Sequence, residues 1–296
     1  MKWLIVGGNG QLGRAMQAEL SKSGIEFLAL DRSLLDITKE SDIARILKEE
    51  LPDIVLNAAA WTNVDDAECA EEEARLINAY GPSLLAKACA SIDAKFVHIS
   101  TDYVFSGVSN EPWDEGAALA PVSAYGRTKA EAEQLVQASY GNSSFILRTA
   151  WLYSPWGHNF VKTMVRIALQ EASMVDVVYD QIGQPTSALD LAGQIRQMIG
   201  RNVASGIYHA TNAGQATWFE FAQYIFKLAG ADPDRVRPVN SVHSPRLAKR
   251  PSYSVFGHQH WIKEGLAPMR NWQEALQEVL PTIIFNISLE EQPRGN

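Results

Sequence analysis

Cysteine is scarce in this chain of 296 residues: Cys69 and Cys89 are the only two, and both fall in a stretch with helical patterning. That scarcity argues against a disulfide framework or a cysteine-ligated metal centre, and the pair is expected to be small buried side chains. No apolar run approaches the length of a membrane span. No basic block stands out against a net charge of −8 in which acidic and basic residues are mixed, so neither membrane nor nucleic acid is an expected partner. Internal repeats and low-complexity tracts are also missing, and nothing at the N-terminus resembles a signal peptide, since Met1-Lys2-Trp3 leads directly into a glycine-rich turn. A cytoplasmic location is expected. At this length the natural organisation is one large domain with a smaller companion.

What is present begins with that turn, Gly7-Gly8-Asn9-Gly10-Gln11-Leu12-Gly13, set between the apolar run Trp3-Leu4-Ile5-Val6 and a helical pattern through Met16 and Leu20. Glycines at Gly7, Gly10 and Gly13 suit a sharp turn, a close approach of backbone to a pyrophosphate, and tight packing of helix on strand. The helix that follows would offer free N–H groups and a positive dipole end to the phosphates. About twenty residues on, Ile25-Glu26-Phe27-Leu28-Ala29-Leu30 ends in Asp31-Arg32, where a ribose-binding carboxylate is expected. Asp31 favours a free 2′-hydroxyl and Arg32 could neutralise a 2′-phosphate, which leaves NADH and NADPH both open. Asp36-Ile37 either brackets the adenine or caps the next helix.

Strand-like and helix-like segments then alternate as in a doubly wound parallel sheet of the Rossmann type. The pattern gives a helix over 40–50, a strand at Ile54-Val55-Leu56 running into Asn57-Ala58-Ala59-Ala60, a long helix through Ala90, and a strand ending at Ser100. A helix carrying Tyr125 and the strand Phe145-Ile146-Leu147-Arg148 follow. Ala58, Ala59 and Ala60 stand at a strand's carboxyl end, where such sheets bind ligands and where small side chains let a nicotinamide ribose lie close to the backbone.

Tyr125 and Lys129 stand four residues apart, so a helix places phenol and ammonium on one face. A cation about 4 Å from a phenol is worth roughly 1 to 4 kcal/mol. At ~1.4 kcal/mol per pH unit, that draws a titration from near ~10 toward neutrality and makes Tyr125 a proton donor.

Gly7-x-x-Gly10-x-x-Gly13, Asn57-Ala58-Ala59-Ala60, Ser100-Thr101-Asp102-Tyr103-Val104-Phe105 and Tyr125-x-x-x-Lys129 together resemble the extended short-chain dehydrogenase/reductase family. Gly10-Gln11-Leu12-Gly13, Ala59-Ala60-Trp61-Thr62, Arg148 to Tyr153, Asp180 to Thr186 and Arg250-Pro251 narrow the resemblance to its dTDP-4-dehydrorhamnose reductases, from Met1 to about Pro281. The resemblance implies hydride transfer from NADPH or NADH to the C4 ketone of dTDP-4-dehydro-β-L-rhamnose. Tyr125 would protonate the carbonyl oxygen, Thr101 would hydrogen-bond it, and Lys129 would also hold the nicotinamide ribose. The glycine turn with Gln11 and Leu12, together with Asp31, Arg32, Asp36, Ile37 and Ala58 to Ala60, would bind the cofactor.

For the substrate the same resemblance points to Thr62, Thr101, Asp102, Tyr103, Trp151, Asn159, Gln184, Thr186 and Arg250. Trp151 suits either an apolar wall beside the sugar or a core position. Asn159 suits either a helix cap or a nucleotide contact. Arg250 suits the diphosphate, because a guanidinium fork matches phosphate oxygens. Three positions depart from the family pattern. Ala15 replaces the acidic residue that some members use in a magnesium-linked dimer, Trp61 stands where His is frequent, and Arg250 to Phe256 depart from the RPxxSxL pattern. No metal is therefore expected, and the chain is read as a monomer or homodimer.

His258 and His260 lack a nearby cysteine or carboxylate to complete a metal site, so a loop role is expected. The aromatic stretch from Trp218 to Phe226 reads as the buried face of a helix, because a nucleic-acid platform would interleave basic residues. The expected organisation is a dinucleotide-binding domain over 1–155 completed by segments within 172–213, a substrate lobe from 156–171 and 214–283, and a flexible tail over 284–296. Strands at Val175 to Val178 and Ile207 to His209 are expected to return to the main sheet. Another nucleotide-4-ketosugar reductase or an epimerase would share the Tyr125 machinery. A non-catalytic NADP-binding subunit resembling the methionine adenosyltransferase β-subunit would share the fold.

Overall fold

The computed structural model describes residues 1–170, 174–243 and 245–291. In β1 (Lys2–Val6), Trp3 and Ile5 pack into one apolar layer while Leu4 and Val6 pack into another. A strand whose two faces are both apolar belongs in the middle of a parallel sheet covered by helices on both sides. α1 (Gln11–Lys22) follows, burying Leu12, Ala15, Met16 and Leu20 at helical spacing. Next come β2 (Glu26–Leu30), α2 (Glu40–Glu50) and β3 (Ile54–Asn57).

The expected long helix up to Ala90 is broken into α3 (Val64–Cys69), α4 (Glu71–Arg75), a π-helical turn over Leu76–Tyr80 and α5 (Gly81–Ser91). Ala70, with φ −135°, leaves the helical conformation and ends α3. Cys69 is consequently exposed at that end, contrary to expectation, while Cys89 is buried on α5. β4 (Lys95–Thr101), α6 (Ala124–Tyr140) and β5 (Ser144–Thr149) complete the first half.

The second half comprises β6 (Leu152–Tyr153), α7 (Phe160–Leu169), β7 (Val175–Val178), β8 (Ile182–Gly183), β9 (Thr186–Ser187), α8 (Ala188–Gly200) and β10 (Gly206–His209). It continues with β11 (Asn212–Ala213), β12 (Ala216–Thr217), α9 (Trp218–Leu228), β13 (Val236–Val239), α10 (Gln259–Lys263), β14 (Met269–Asn271) and α11 (Trp272–Glu291).

Six parallel strands form the main sheet in the order β10-β5-β4-β3-β1-β2. The chain leaves β1 to one side for β2 and returns to its other side for β3, so a crevice opens at the carboxyl ends of β1 and β3. This is the Rossmann-type doubly wound α/β fold that the sequence pattern predicts. β10 joins the sheet beside β5 as expected. Val175 to Val178 does not. It pairs in parallel with β13 instead, since β10 occupies the edge beside β5 and only Val177 of β7 is buried.

The lobe has its own core, in which Val161, Met164 and Val165 of α7 meet Phe221, Ile225 and Phe226 of α9 and one stripe of α11. That stripe runs through Leu276, Val279, Leu280, Ile283 and Ile287. Its helical spacing carries α11 past residue 284, so 284–291 is ordered helix and not a tail. Glu290 confirms the docking by pairing with Lys162 and Arg166 of α7. Residues 292–296, the rest of the expected tail, lie outside the described residues. Trp261, Leu266 and Met269, assigned by sequence to the lobe, pack instead into the layer formed by α1 and α8 on the main sheet. No described helix is long and apolar enough to cross a membrane.

Candidate active site

The glycine turn lies against the end of β3. Gly7 has φ +83°, and a Cβ there would sit 2.7 Å from the Ala59 amide nitrogen. A Cβ on Gly13 would come within 2.3 Å of the Gly7 carbonyl oxygen. Only glycine permits both contacts, so the turn is held flat against Ala58 and Ala59. Gly10 caps α1 without a side-chain hydrogen bond, which leaves first-turn N–H groups open to an anion.

A cleft of about 600 Å³ opens here, lined by Gly7, Gly10, Asp31, Arg32, Asp36, Ile37, Ala58, Ala59, Ala60 and Thr62. Thr62, expected on the substrate side, thus borders the same cleft as the cofactor candidates. Asp31 accepts from Asn9 Nδ2 at 2.7 Å and from Ser33 N and Oγ at 2.9 and 2.6 Å. These bonds, those from Ser33 first, hold its carboxyl below the usual range. Asp36 does not cap α2, whose cap is Lys39; its Oδ1 accepts from Thr38 N and Oγ1 at 3.1 and 2.7 Å, closing an Asx turn. The flat turn, the open helix end and the carboxylate at the end of β2 fit a dinucleotide.

Gln11 and Leu12 open α1 at the glycine turn, so their backbone N–H groups belong to the first turn left open to an anion. Leu12 points into the core, and Gln11 Oε1 accepts from Ser154 Oγ and Asn159 Nδ2, both at 3.1 Å. Asn159 resolves as a helix cap, its Oδ1 accepting from Lys162 N at 3.0 Å. The two residues tie the glycine turn to the lobe.

On α6, Tyr125, Lys129 and Glu133 recur at four-residue spacing, and Lys129 and Glu133 reach β4 at Ile99 and Ser100. Thr101 ends that strand; its Oγ1 donates to Asp102 Oδ1 at 3.0 Å and accepts from Tyr103 N at 3.2 Å. The Tyr125 phenol lies beside Thr101, and its ring meets Tyr103 edge-on with centroids 5.6 Å apart.

Lys129 Nζ donates to the Ile99 carbonyl at 2.6 Å and lies 3.1 Å from His98 Nε2. Burial draws its pKa down to about 7. The phenol of Tyr125 is pushed up to about 12, because losing water disfavours the phenolate more than Thr101 supports it. In the chain without ligands the expected lowering of the Tyr125 pKa by Lys129 is therefore reversed: the amine is turned to Ile99 and His98, and it is itself reluctant to charge. Asp102, also buried, is pushed up to about 6.

Arg250 pairs with Asp65 of α3 at 2.8 Å, and its guanidinium carbon lies 5.8 Å from the Tyr103 ring centre. Trp151, with φ +45°, stacks on Trp218 at 3.6 Å between centroids and covers Gly183, so it forms a half-buried wall of the lobe. Gln184 and Thr186 are not open to a ligand in this state. Gln184 Oε1 accepts from Phe256 N and Thr211 Oγ1, and the Thr186 hydroxyl donates to the Gln184 carbonyl, both side chains being buried.

Sequence reasoning missed three residues. Asn78, in the π turn, accepts from Trp61 N at 2.8 Å and donates to Trp61 O and Thr128 Oγ1, fixing the far wall of the cleft. His98 bridges Lys129 and Asn57. Asp65 partners Arg250. For Asn78 and His98 the available signal was a polar residue at a core-facing position of an apolar segment.

The family described as RmlD substrate binding domain matches residues 1–284. The chain belongs to that family. It is 46% identical over 285 residues to a Streptomyces antibioticus protein named probable dTDP-4,6-dihydroxy-2-methyloxan-3-one 4-ketoreductase, covering 96% of each chain. To the dTDP-4-dehydrorhamnose reductase of Mycolicibacterium smegmatis it is 44% identical over 283 residues, 95% of this chain and 85% of that one. The Bacillus anthracis dTDP-4-dehydrorhamnose reductase, solved in complex with NADP, matches with a TM-score of 0.91 at 40% identity over 95% of this chain and 98% of that one. The resemblance carried by the motif string is thus a family relationship, and the chain is, like these relatives, an oxidoreductase.

Proposed function

We propose that the protein reduces the C4 ketone of dTDP-4-dehydro-β-L-rhamnose to dTDP-β-L-rhamnose with NADPH or NADH. The observation that carries this reading is that α6 brings Tyr125 beside Thr101 and Tyr103 at the carboxyl end of β4, the strand beside the one whose end walls the glycine-turn cleft. A bound reduced nicotinamide would supply the electron pair for the ketone carbon. As charge grows on the ketone oxygen, Thr101 donates a hydrogen bond to it and the Tyr125 phenol passes it a proton. A phenol with a high pKa stays fully protonated at neutral pH, so the donor is loaded before the substrate arrives. Lys129, charged once a ligand's hydroxyls face it, stabilises the phenolate left behind. Asp31 and Arg32 face the adenosine ribose, and Arg250 with Tyr103 receives the nucleotide-sugar diphosphate.

A second dTDP-linked 4-ketosugar is the alternative substrate, favoured by the name of the Streptomyces antibioticus relative. Incubating the pure protein with dTDP-4-dehydro-L-rhamnose or another dTDP-4-ketosugar and each nicotinamide, then identifying the sugar formed, separates the two. Loss of nicotinamide absorbance with neither ketosugar would reject both.

A further inference from the structure

Three buried side chains form a line behind the cleft. Lys129, His98 and Asn57 are 1%, 0% and 1% exposed. Asn57 Oδ1 accepts the Ala59 N–H at 3.1 Å, which fixes its amide and turns Nδ2 toward His98 Nδ1 at 3.2 Å. An amide NH₂ can only donate, so Nδ1 is an acceptor and the neutral imidazole carries its proton on Nε2. That nitrogen is 3.1 Å from Lys129 Nζ, which itself donates to Ile99 O at 2.6 Å. An N–H aimed at Nζ needs a lone pair, which an amine has and an ammonium lacks.

Charging Lys129 therefore disturbs the whole line. Nε2 would have to become the acceptor, the imidazole proton would move to Nδ1, and Nδ1–H would then face the Asn57 NH₂. Turning the Asn57 amide relieves that clash only by setting its NH₂ against the Ala59 N–H, at the backbone that Gly7 touches.

We propose that Asn57 and His98 are positioning residues that set the charge of Lys129, holding it as an amine in the ligand-free chain and coupling its protonation to the backbone of the cleft at Ala59. The inference rests on the reading of Lys129 as part of the reductase site. Burial supports it independently, drawing Lys129 to about 7 and His98 far below its usual range. Glu133, a turn further along α6, pulls Lys129 the other way, but its carboxylate is tied to Arg148 of β5 and Ser100 of β4. The Tyr125 phenol, a turn earlier, is uncharged at neutral pH.

The ligand-free protein labelled with ¹⁵N-histidine provides the test, because nitrogen shifts tell which ring nitrogen of His98 carries the proton. The expected result is Nε2–H at alkaline pH, converting to Nδ1–H on acidification with the same midpoint as the ¹⁵Nζ shift of Lys129 in a sample labelled with ¹⁵N-lysine. In Asn57→Asp the carboxylate keeps the Ala59 N–H and accepts Nδ1–H, so the Nδ1–H form should persist at every pH and the Lys129 midpoint should rise by about one pH unit, a tenfold change in proton affinity. Nδ1–H throughout in the wild type, or Nε2–H indifferent to Lys129 titration, would overturn the proposal. The wild-type spectrum decides this even where the variant fails to fold. Neither readout involves turnover, so an active Tyr125→Phe variant would dismiss the catalytic reading and leave this result standing.

Discussion

Arg250 donates through Nη2 to Asp65 at 2.8 Å, while its Nη1 is buried without a partner among the described residues. On the proposed reading the second arm of this guanidinium, beside Tyr103, takes an oxygen of the nucleotide-sugar diphosphate, since a buried N–H left unpaired is costly. Arg250→Ala is expected to raise KM for the nucleotide sugar at least tenfold with a smaller change in kcat, as loss of a charge-assisted hydrogen bond requires. Arg250→Lys should recover little of this, since an ammonium cannot serve Asp65 and a phosphate in the same fork geometry. Steady-state kinetics of both variants decide it; an unchanged KM would place Arg250 in the fold alone.

Tyr125→Phe removes one hydroxyl and nothing else of size. Turnover should fall at least tenfold while NADPH affinity, measured by fluorescence titration, stays nearly intact. Undiminished turnover would remove Tyr125 from the chemistry.

Arg32 borders the cleft beside Asp31, whose carboxylate is anionic and held by Asn9 and Ser33. Arg32→Ala should weaken NADPH on the order of tenfold, the scale of one charge-assisted phosphate contact, and leave NADH unchanged. Equal losses for the two nucleotides would mean that Arg32 does not reach a 2′-phosphate.

Much of this site was legible because its parts are local. A glycine turn, a strand ending in Asp31 and a four-residue Tyr–Lys spacing are each fixed within a few residues of chain, and family motifs supplied their order. The reversed titration of Tyr125 and Lys129 was not legible, since it depends on burial and on Ile99 and His98 arriving from another strand. The misplacement of Val175 to Val178 has the same origin: a short strand signals its conformation but not which edge is free. Residues 284–291 are a different case. The apolar spacing from Leu276 to Ile287 is written in the chain, but the polar residues that follow it hide how far the helix continues.

Asp102 offers a test of pH dependence. Burial raises its carboxyl from 3.8 to about 6, so the contribution to stability is fully present below about 4 and is lost as pH rises through about 6. Above that the folded chain carries a buried charge. Asp102→Asn should therefore be more stable than the parent at pH 8, by on the order of 1 to 3 kcal/mol, with the difference vanishing near pH 4. Urea unfolding at the two pH values checks it. A variant less stable at pH 8 would show that the ionised carboxylate is needed where it stands.

Glu133 and Arg148 form the opposite case, a buried charge that is compensated. Both are about 1–2% exposed; Arg148 Nη2 and Nε hold Glu133 at 2.7 and 3.0 Å, and Nη1 donates to the Glu115 carbonyl at 3.0 Å. Ser100 donates to the same carboxylate, and the guanidinium lies 5.0 Å from the Phe105 ring centre. Removing one member leaves the other charged, desolvated and without its counter-ion, so Glu133→Ala should destabilise the chain by about 3 to 5 kcal/mol. Replacing both by apolar residues, Glu133→Leu with Arg148→Met, removes both charges and should lose less than Glu133→Ala alone. Because Glu133 also acts on Lys129 one turn away, the double variant should lower the Lys129 midpoint as well, even if its stability is restored. A double variant as unstable as the single one would mean that shape, not charge pairing, holds α6 against β4 and β5.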